Sequence, residues 1–382
     1  MSRAVRRGIV VTAGGCALLV FADLVAAGGL WLRDRVAPAQ AVVAHRTDSA
    51  LTLAYPGWTK RDIRTILAES YRPMEYEPLT GFRPRASSGR FINVSASGFR
   101  EGGTHDPWPP DSGALNVFVF GGSTTFGTGI RDAETIPARM EAHLGSRCNR
   151  VAHVYNFGRD SYYSTQERIL FEHLLTERLV PGAAVFIDGL NDGSATGDTP
   201  AFSSEFREVF DFMQTRTPWW RGIALAASST ALGRLVRGLR APRLSPMFAD
   251  SAAAGRERSR NVERWLASRA MIGGVAKTQG VVPLFVVQPV PVYHYDFAAD
   301  PFAADARLQL AGVARFYEML ARERSDTAAD VLWLADAHPS GSTKTPYVDT
   351  MHYAPWFADT IARAITDALV RRLPGACAPH SR

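Results

Sequence analysis

The sequence predicts an α/β protein: a three-layer, doubly wound parallel sheet of five strands, preceded by an N-terminal transmembrane helix and carrying a helical insertion. Three observations predict it. Short apolar runs at Leu115–Phe120, Val151–Asn156, Ala183–Ile187, Val282–Val287 and Val331–Ala335 have the length and the β-branched or aromatic content of buried strands. Helical patterns mostly separate them, and alternation of this kind builds a parallel sheet covered by helices on both faces. The first run breaks at once into Gly121-Gly122-Ser123-Thr124-Thr125-Phe126-Gly127-Thr128-Gly129. That is a tight turn at the carboxyl end of a strand, where open parallel sheets hold their ligands.

Composition agrees with a folded enzyme-sized body. With 46% hydrophobic and 21% charged residues over 382 positions, the chain suits one large domain with additions, not a disordered polymer. A formal charge of +6 raises nucleic acid as a partner, but no zinc-finger spacing, RNA-recognition signature or basic-region heptad accompanies it, so none is expected.

In chain order, Arg3, Arg6 and Arg7 precede an apolar run from Gly8 to Leu32. At 1.5 Å per residue such a run crosses the roughly 30 Å of bilayer hydrocarbon as one helix. The arginines hold the N-terminus in the cytoplasm, which makes the chain a single-pass protein of the inner (cytoplasmic) membrane with everything after Leu32 outside. A cleaved signal peptide, with Ala37-Pro38-Ala39 as the peptidase site, is the second reading. Asp23 within the run either pairs with a partner helix or is tolerated in a tilted anchor. Residues 35–111 read as a linker that wraps onto the main domain, with a helix near Lys60–Tyr71 and at most a short strand or hairpin between Arg83 and Arg100. The main domain spans 112–376, and a tail follows at 377–382. A helix-like segment starts at about Thr135, a crossover helix runs through Ile169–Leu179, and a last helix covers Trp356–Arg371.

The insertion lies at about 194–255. Between Asp211 and Asp250 it holds no acidic residue but carries Arg216, Arg221, Arg234, Arg237, Arg240 and Arg243, with Trp219, Trp220, Ile223, Leu225, Leu232, Leu235, Val236 and Leu239 as the apolar counterpart. The pattern predicts a basic amphipathic helix. A cap packed on the main domain is the first reading, and a lid touching anionic lipid the second.

Four stretches carry candidate chemistry. Ser123 stands in the first turn. Asp349 precedes His352 by three residues in Tyr347-Val348-Asp349-Thr350-Met351-His352, close enough to orient an imidazole as a base. Asp188-Gly189-Leu190-Asn191-Asp192 follows the third strand, where an asparagine amide can donate to an oxyanion. Asn156-Phe157-Gly158-Arg159-Asp160-Ser161 follows the second. Each alone is an ordinary turn. Together and in this order they resemble the SGNH, or GDSL, family of serine hydrolases and acyltransferases, over about Leu115–Arg371. Two departures stand out: Gly122 replaces the usual aspartate before the serine, and Ser161 stands where the second block has its oxyanion-hole glycine.

The resemblance implies a flavodoxin-like sheet in the order 2-1-3-4-5. It implies Ser123 as nucleophile, His352 as base and Asp349 as its orienting acid. The amides of Ser123 and Ser161 and the Asn191 side chain would form the oxyanion hole, with Gly122, Gly158 and Asp192 lining the substrate site. No cofactor or metal is expected. The implied activity is an esterase on an ester, an O-acylated glycan among the substrates considered. An O-acyltransferase, or an inactive glycan-binding protein on the same scaffold, is the alternative. Cys148 and Cys377 are the thiols outside the apolar run, and a disulfide and two free thiols both stay open.

Overall fold

The computed structural model describes residues 3–36, 48–102, 107–195, 197–214, 230–233, 252–296, 300–323, 329–338 and 344–373, with single positions 227, 235, 375 and 377. The elements begin with α1 (Arg3–Val36), α2 (Asp48–Ala54), α3 (Lys60–Ser70), β1 (Met74–Glu77), β2 (Gly81–Pro84), β3 (Ser87–Ser88) and β4 (Asn93–Val94). Then come β5 (Leu115–Gly121), α4 (Ser123–Phe126), a 3-10 turn at Asp132–Glu134, α5 (Ile136–Gly145), β6 (Ala152–Gly158), α6 (Ser164–Thr176), β7 (Ala183–Asp188) and α7 (Leu190–Ser194). The last are α8 (Ser203–Gln214), α9 (Ala252–Gln279), β8 (Val282–Val287), α10 (Ala303–Gln309), α11 (Ala311–Arg322), β9 (Val331–Trp333) and α12 (Pro355–Arg372). They divide into two compact units, Met1–His45 with Phe202–Leu244, and Arg46–Ala201 with Ser245–Arg382.

In the larger unit, β5 to β9 form one parallel sheet in the order β6-β5-β7-β8-β9, the 2-1-3-4-5 order expected of the sequence. Every residue of β5 and of β7 is buried, because helices cover both faces and no side faces water. One row of phenylalanines sets the register. Phe157, Phe120, Phe186 and Phe285 are direct cross-strand partners on β6, β5, β7 and β8. Their rings stack at centroid distances of 5.6, 4.9 and 5.4 Å. Such pairs stabilise a sheet by about 0.2–1 kcal/mol each, and a slip of one residue would turn every ring to the other face. The ladder therefore brings the carboxyl ends of four strands to one level.

The helices begin where the sequence marks them. Thr135 caps α5 by accepting from the Ala138 amide, with Pro137 in its first turn. Pro355 opens α12, and Arg371 and Arg372 close it against the negative end of its dipole. Of the two readings left open for the thiols, the bond is the one found: Cys148 and Cys377 form a disulfide joining the turn after α5 to the segment after α12.

The stretch expected as a linker is more structured than its apolar pattern suggests. It forms α2, α3 and the antiparallel pairs β1–β2 and β3–β4. At its end the Arg100 amide donates to the Asn156 carbonyl at 2.9 Å, which brings the segment to the sheet edge at β6. Charged side chains tie it down, and a reading of hydrophobic periodicity does not register those.

In the smaller unit, α1 contains Thr12–Leu30, 19 residues of mean hydropathy 1.8, long and apolar enough to cross a bilayer; a signal sequence has the same properties. Leu18, Leu19, Phe21 and Leu24 are exposed on it. The Asp23 carboxylate accepts from the Leu232 amide at 2.8 Å. The arginines of the predicted basic helix, Arg216 to Arg243, and Trp219, Trp220, Ile223, Leu225, Val236 and Leu239 lie outside the described residues; Leu232 and Leu235 are within them.

Candidate active site

Ser123 is the first residue of α4, immediately after β5 and Gly122. The turn leaves Ser123 partly open while Gly122 and Thr124 on either side are buried. Gly122 has a local reason to be glycine. A Cβ there would stand 2.3 Å from Asn191 Nδ2, so a larger residue would require that amide to shift. Gly158 is more tightly constrained, since a Cβ would meet the backbone, the Phe126 amide nitrogen, at 2.3 Å. The backbone of α4 rests on the end of β6.

His352 comes from the loop before α12. The loop is pinched shut by the Val348 amide donating to the His352 carbonyl at 2.8 Å and by a bridge between Tyr347 and Tyr353. Inside it Asp349 receives three donors. Its Oδ1 accepts from the Met351 and His352 amides at 2.9 and 2.8 Å, and its Oδ2 lies 2.7 Å from His352 Nδ1. The other ring nitrogen, Nε2, lies 2.8 Å from Ser123 Oγ. With Asp349 accepting at Nδ1, the neutral ring carries its proton there and presents a lone pair to the serine. Asp349 and His352 are both buried, which keeps water from competing for these contacts.

The second and third blocks lie next to the turn that bears the serine, the Arg159 amide donating to the Gly121 carbonyl at 2.9 Å. Ser161 has φ +62°, in the left-handed region, at the third position of a turn closed by the Tyr162 amide donating to the Arg159 carbonyl at 3.2 Å. Glycine is the usual occupant of that position, so the serine adopts the backbone of the residue it replaces. The amides of Ser123 and Ser161 have no acceptor among the described residues. Asn191, at the start of α7, donates from Nδ2 to the Tyr162 carbonyl at 2.6 Å, which fixes the direction of its remaining N–H. Asp160, in the same turn, is held above the ordinary carboxyl range by burial, with the nearby His352 pulling the other way.

Asp192 turns inward. It is buried, and its Oδ1 accepts from the hydroxyl and amide of Ser164 at 2.6 and 3.3 Å. The three residues expected to line a substrate, Gly122, Gly158 and Asp192, are all buried. Two further carboxyls, Glu167 and Asp188, lie near Asp192, and all three are raised, in each case chiefly by burial. Asp188 is pushed up to about 8, its charge further opposed by Asp192. Both oxygens of Glu167 lack a donor, as do Asp188 Oδ1 and Asp192 Oδ2. The charge of Asp188 beside it pushes Glu167 up further.

The wrapping segment, in which the sequence marks no site residue, holds the loop that follows α4. Arg100 is fully buried, its pKa brought down to about 10 by burial with Asp132 opposing the shift. Its guanidinium donates to the carbonyls of Phe126, Gly127 and Ile130 at 2.7 Å and pairs with Asp132 at 2.9 Å. The Tyr55 hydroxyl donates to the Gly129 carbonyl and the Gly129 amide to Ser70 Oγ, both at 2.9 Å. On the second block, Arg159 is buried and paired with Glu77. Among the described residues no group of three His, Cys, Asp or Glu side chains is arranged to hold a metal ion.

No protein-family model matches this sequence, and no curated protein matches it. Among solved structures the chain is similar to lipolytic hydrolases and acylhydrolases of the GDSL/SGNH type. One is a GDSL-like lipase from Bacteroides thetaiotaomicron VPI-5482, at 12% identity over 68% of this chain and 89% of that one, with a TM-score of 0.34. Another is a psychrotrophic esterase, EstA, from Pseudoalteromonas sp., at 10% identity over 68% and 100%, with a TM-score of 0.35. A third is the lipase/acylhydrolase from Enterococcus faecalis, at 14% identity over 70% and 99%, with a TM-score of 0.33. The likeness is one of fold.

Proposed function

We propose that this chain is a serine esterase of the SGNH type that works through an acyl-enzyme. The observation that carries the reading is the continuous contact from Asp349 through His352 to Ser123, at 2.7 and 2.8 Å, made by residues 229 positions apart in the chain. His352 takes the Ser123 proton as Oγ attacks the ester carbonyl, and Asp349 stabilises the imidazolium that forms. The tetrahedral oxyanion is held by the amides of Ser123 and Ser161 and by Asn191 Nδ2. The alkoxide leaves with the proton from His352, and an acyl group remains on Ser123 Oγ. His352 then deprotonates a water, which releases the acid and restores the serine.

A location outside the cytoplasm belongs to the same proposal. Two observations support it: the Cys148–Cys377 disulfide, a bond that persists in oxidising compartments, and the apolar α1 behind its arginines.

Hydrolysis of a p-nitrophenyl ester by the full-length chain in detergent tests the reading. Wild type is expected to turn over with an initial burst. Ser123→Ala and His352→Ala are expected to lose activity by about 10⁴-fold or more while remaining folded. Full activity in a folded Ser123→Ala protein would overturn the assignment.

A further inference from the structure

Four strand ends meet at the site, and three of them carry the blocks already described. The fourth, β8, is followed at once by Gln288, a residue that no motif marks and that is 2% exposed. Its backbone is fixed on both sides. The Gln288 amide donates to the Asp188 carbonyl at 3.0 Å, three residues before Asn191, and its carbonyl accepts from the Tyr317 hydroxyl at 2.8 Å. Its side-chain amide reaches two hydroxyls. Thr124 Oγ1 and Tyr353 Oη donate to Gln288 Oε1 at 2.7 and 3.0 Å. Thr124 is the neighbour of Ser123, and Tyr353 is the neighbour of His352.

Tyr353 Oη also donates to the Pro289 carbonyl at 2.7 Å, so its one hydrogen is shared between two acceptors. Gln288 Oε1 is the one atom that accepts from both hydroxyls.

We infer that Gln288 is a positioning residue for the proposed acyl transfer, a strap that holds the turn bearing Ser123 and the loop bearing His352 at hydrogen-bonding separation. The inference rests on the serine-esterase reading. Gln288 touches neither reacting atom; it acts through Thr124 and Tyr353. Both anchors are buried, so the strap lies beneath the site, out of reach of water that would loosen it. Ser123 and His352 come from distant parts of the chain, and a displacement of the order of 1 Å between such groups costs about a hundredfold in rate.

The test uses the full-length chain in detergent and a fluorophosphonate probe, with Gln288→Leu, Gln288→Met and Tyr353→Phe. Gln288→Leu and Gln288→Met remove the shared acceptor, and Tyr353→Phe removes one anchor and leaves the glutamine. Folding is followed by thermal melting, and labelling is measured against probe concentration. For every variant that melts cooperatively, the maximal labelling rate is expected to fall about tenfold or more, with the half-saturating probe concentration within twofold of wild type. Tyr353→Phe is the mildest change and stands in if either Gln288 variant fails to fold. Folded variants that label at the wild-type maximal rate would overturn the strap while leaving the esterase reading intact. Absence of labelling in wild type itself would overturn the esterase reading, and the strap with it.

Discussion

Two sets of buried carboxyls flank this site, and they meet the cost of burial in opposite ways. Asp349 collects three donors within its own loop and stands 2.7 Å from His352. Glu167, Asp188 and Asp192, beneath the asparagine block, have four oxygens without a donor, and all three are raised above the ordinary carboxyl range by burial. Burial penalises charge at both places. Donors offset it on the histidine side, and a retained proton offsets it under Asn191. A buried acid that is fully hydrogen-bonded can serve as a charge, whereas one that faces other acids serves as packing and as a source of pH dependence.

The contrast predicts that the same substitution, acid to amide, has opposite consequences in the two places. Asp349→Asn is expected to reduce ester hydrolysis by about 10³–10⁴-fold, because an amide cannot hold the imidazole in the tautomer that faces Ser123. Steady-state kinetics on the folded variant measures it, and a loss below tenfold would break the distinction. Asp188→Asn is expected to leave most of the activity in place and to stabilise the protein at alkaline pH. The sign follows from linkage. The folded pKa of Asp188, about 8, stands above the ordinary carboxyl value of 3.8, so its contribution to stability is complete below about pH 3.8 and is lost as pH rises through about 8. In that window stability falls with pH at up to about 1.4 kcal/mol per unit. Melting temperature followed from pH 5 to 9 should decline in wild type and flatten in Asp188→Asn; parallel curves would show that the acid is already ionised.

A smaller effect concerns the frame around the serine. Arg100→Met removes donors from three loop carbonyls and leaves Asp132 buried without its partner. Chemical denaturation should report a loss of about 3–5 kcal/mol. A loss under 1 kcal/mol would mean that the wrapping segment is not what holds the loop after α4.

The smallest effect is expected at Ser161. Because it already has φ +62°, Ser161→Gly should change stability by no more than about 1 kcal/mol and activity by only a few-fold, while Ser161→Val should lose both. Denaturation and kinetics on the pair check it, and equal behaviour of glycine and valine would contradict the backbone role.

Much of the fold was legible because burial on both faces leaves an unbroken apolar run, as in Val117-Phe118-Val119-Phe120 and Ala184-Val185-Phe186-Ile187. The site residues that a motif marks were legible for a related reason: each lies within a few residues of a strand end or a helix start, so local order places it. Gln288 and Arg100 were not. Their roles lie in contacts with Thr124, Tyr353 and the loop carbonyls, 164, 65 and 26 to 30 residues away, and a single glutamine or arginine carries no spacing that announces such partners. The wrapping of residues 35–111 was read from the sequence, but its anchors, the charged Glu77, Arg100 and Asp132, escaped for the same reason. Gly122 reads as a departure in sequence, and in space the Asn191 amide occupies the place its side chain would take.

The central claim is that Ser123 is activated by His352. Its most direct test is to treat the full-length protein with a fluorophosphonate, digest it, and locate the phosphonylated residue by mass spectrometry. The account predicts a single adduct on Ser123 in wild type and none in His352→Ala under the same exposure. An unmodified Ser123 in folded wild-type protein, or an adduct that forms as fast without His352, would contradict it.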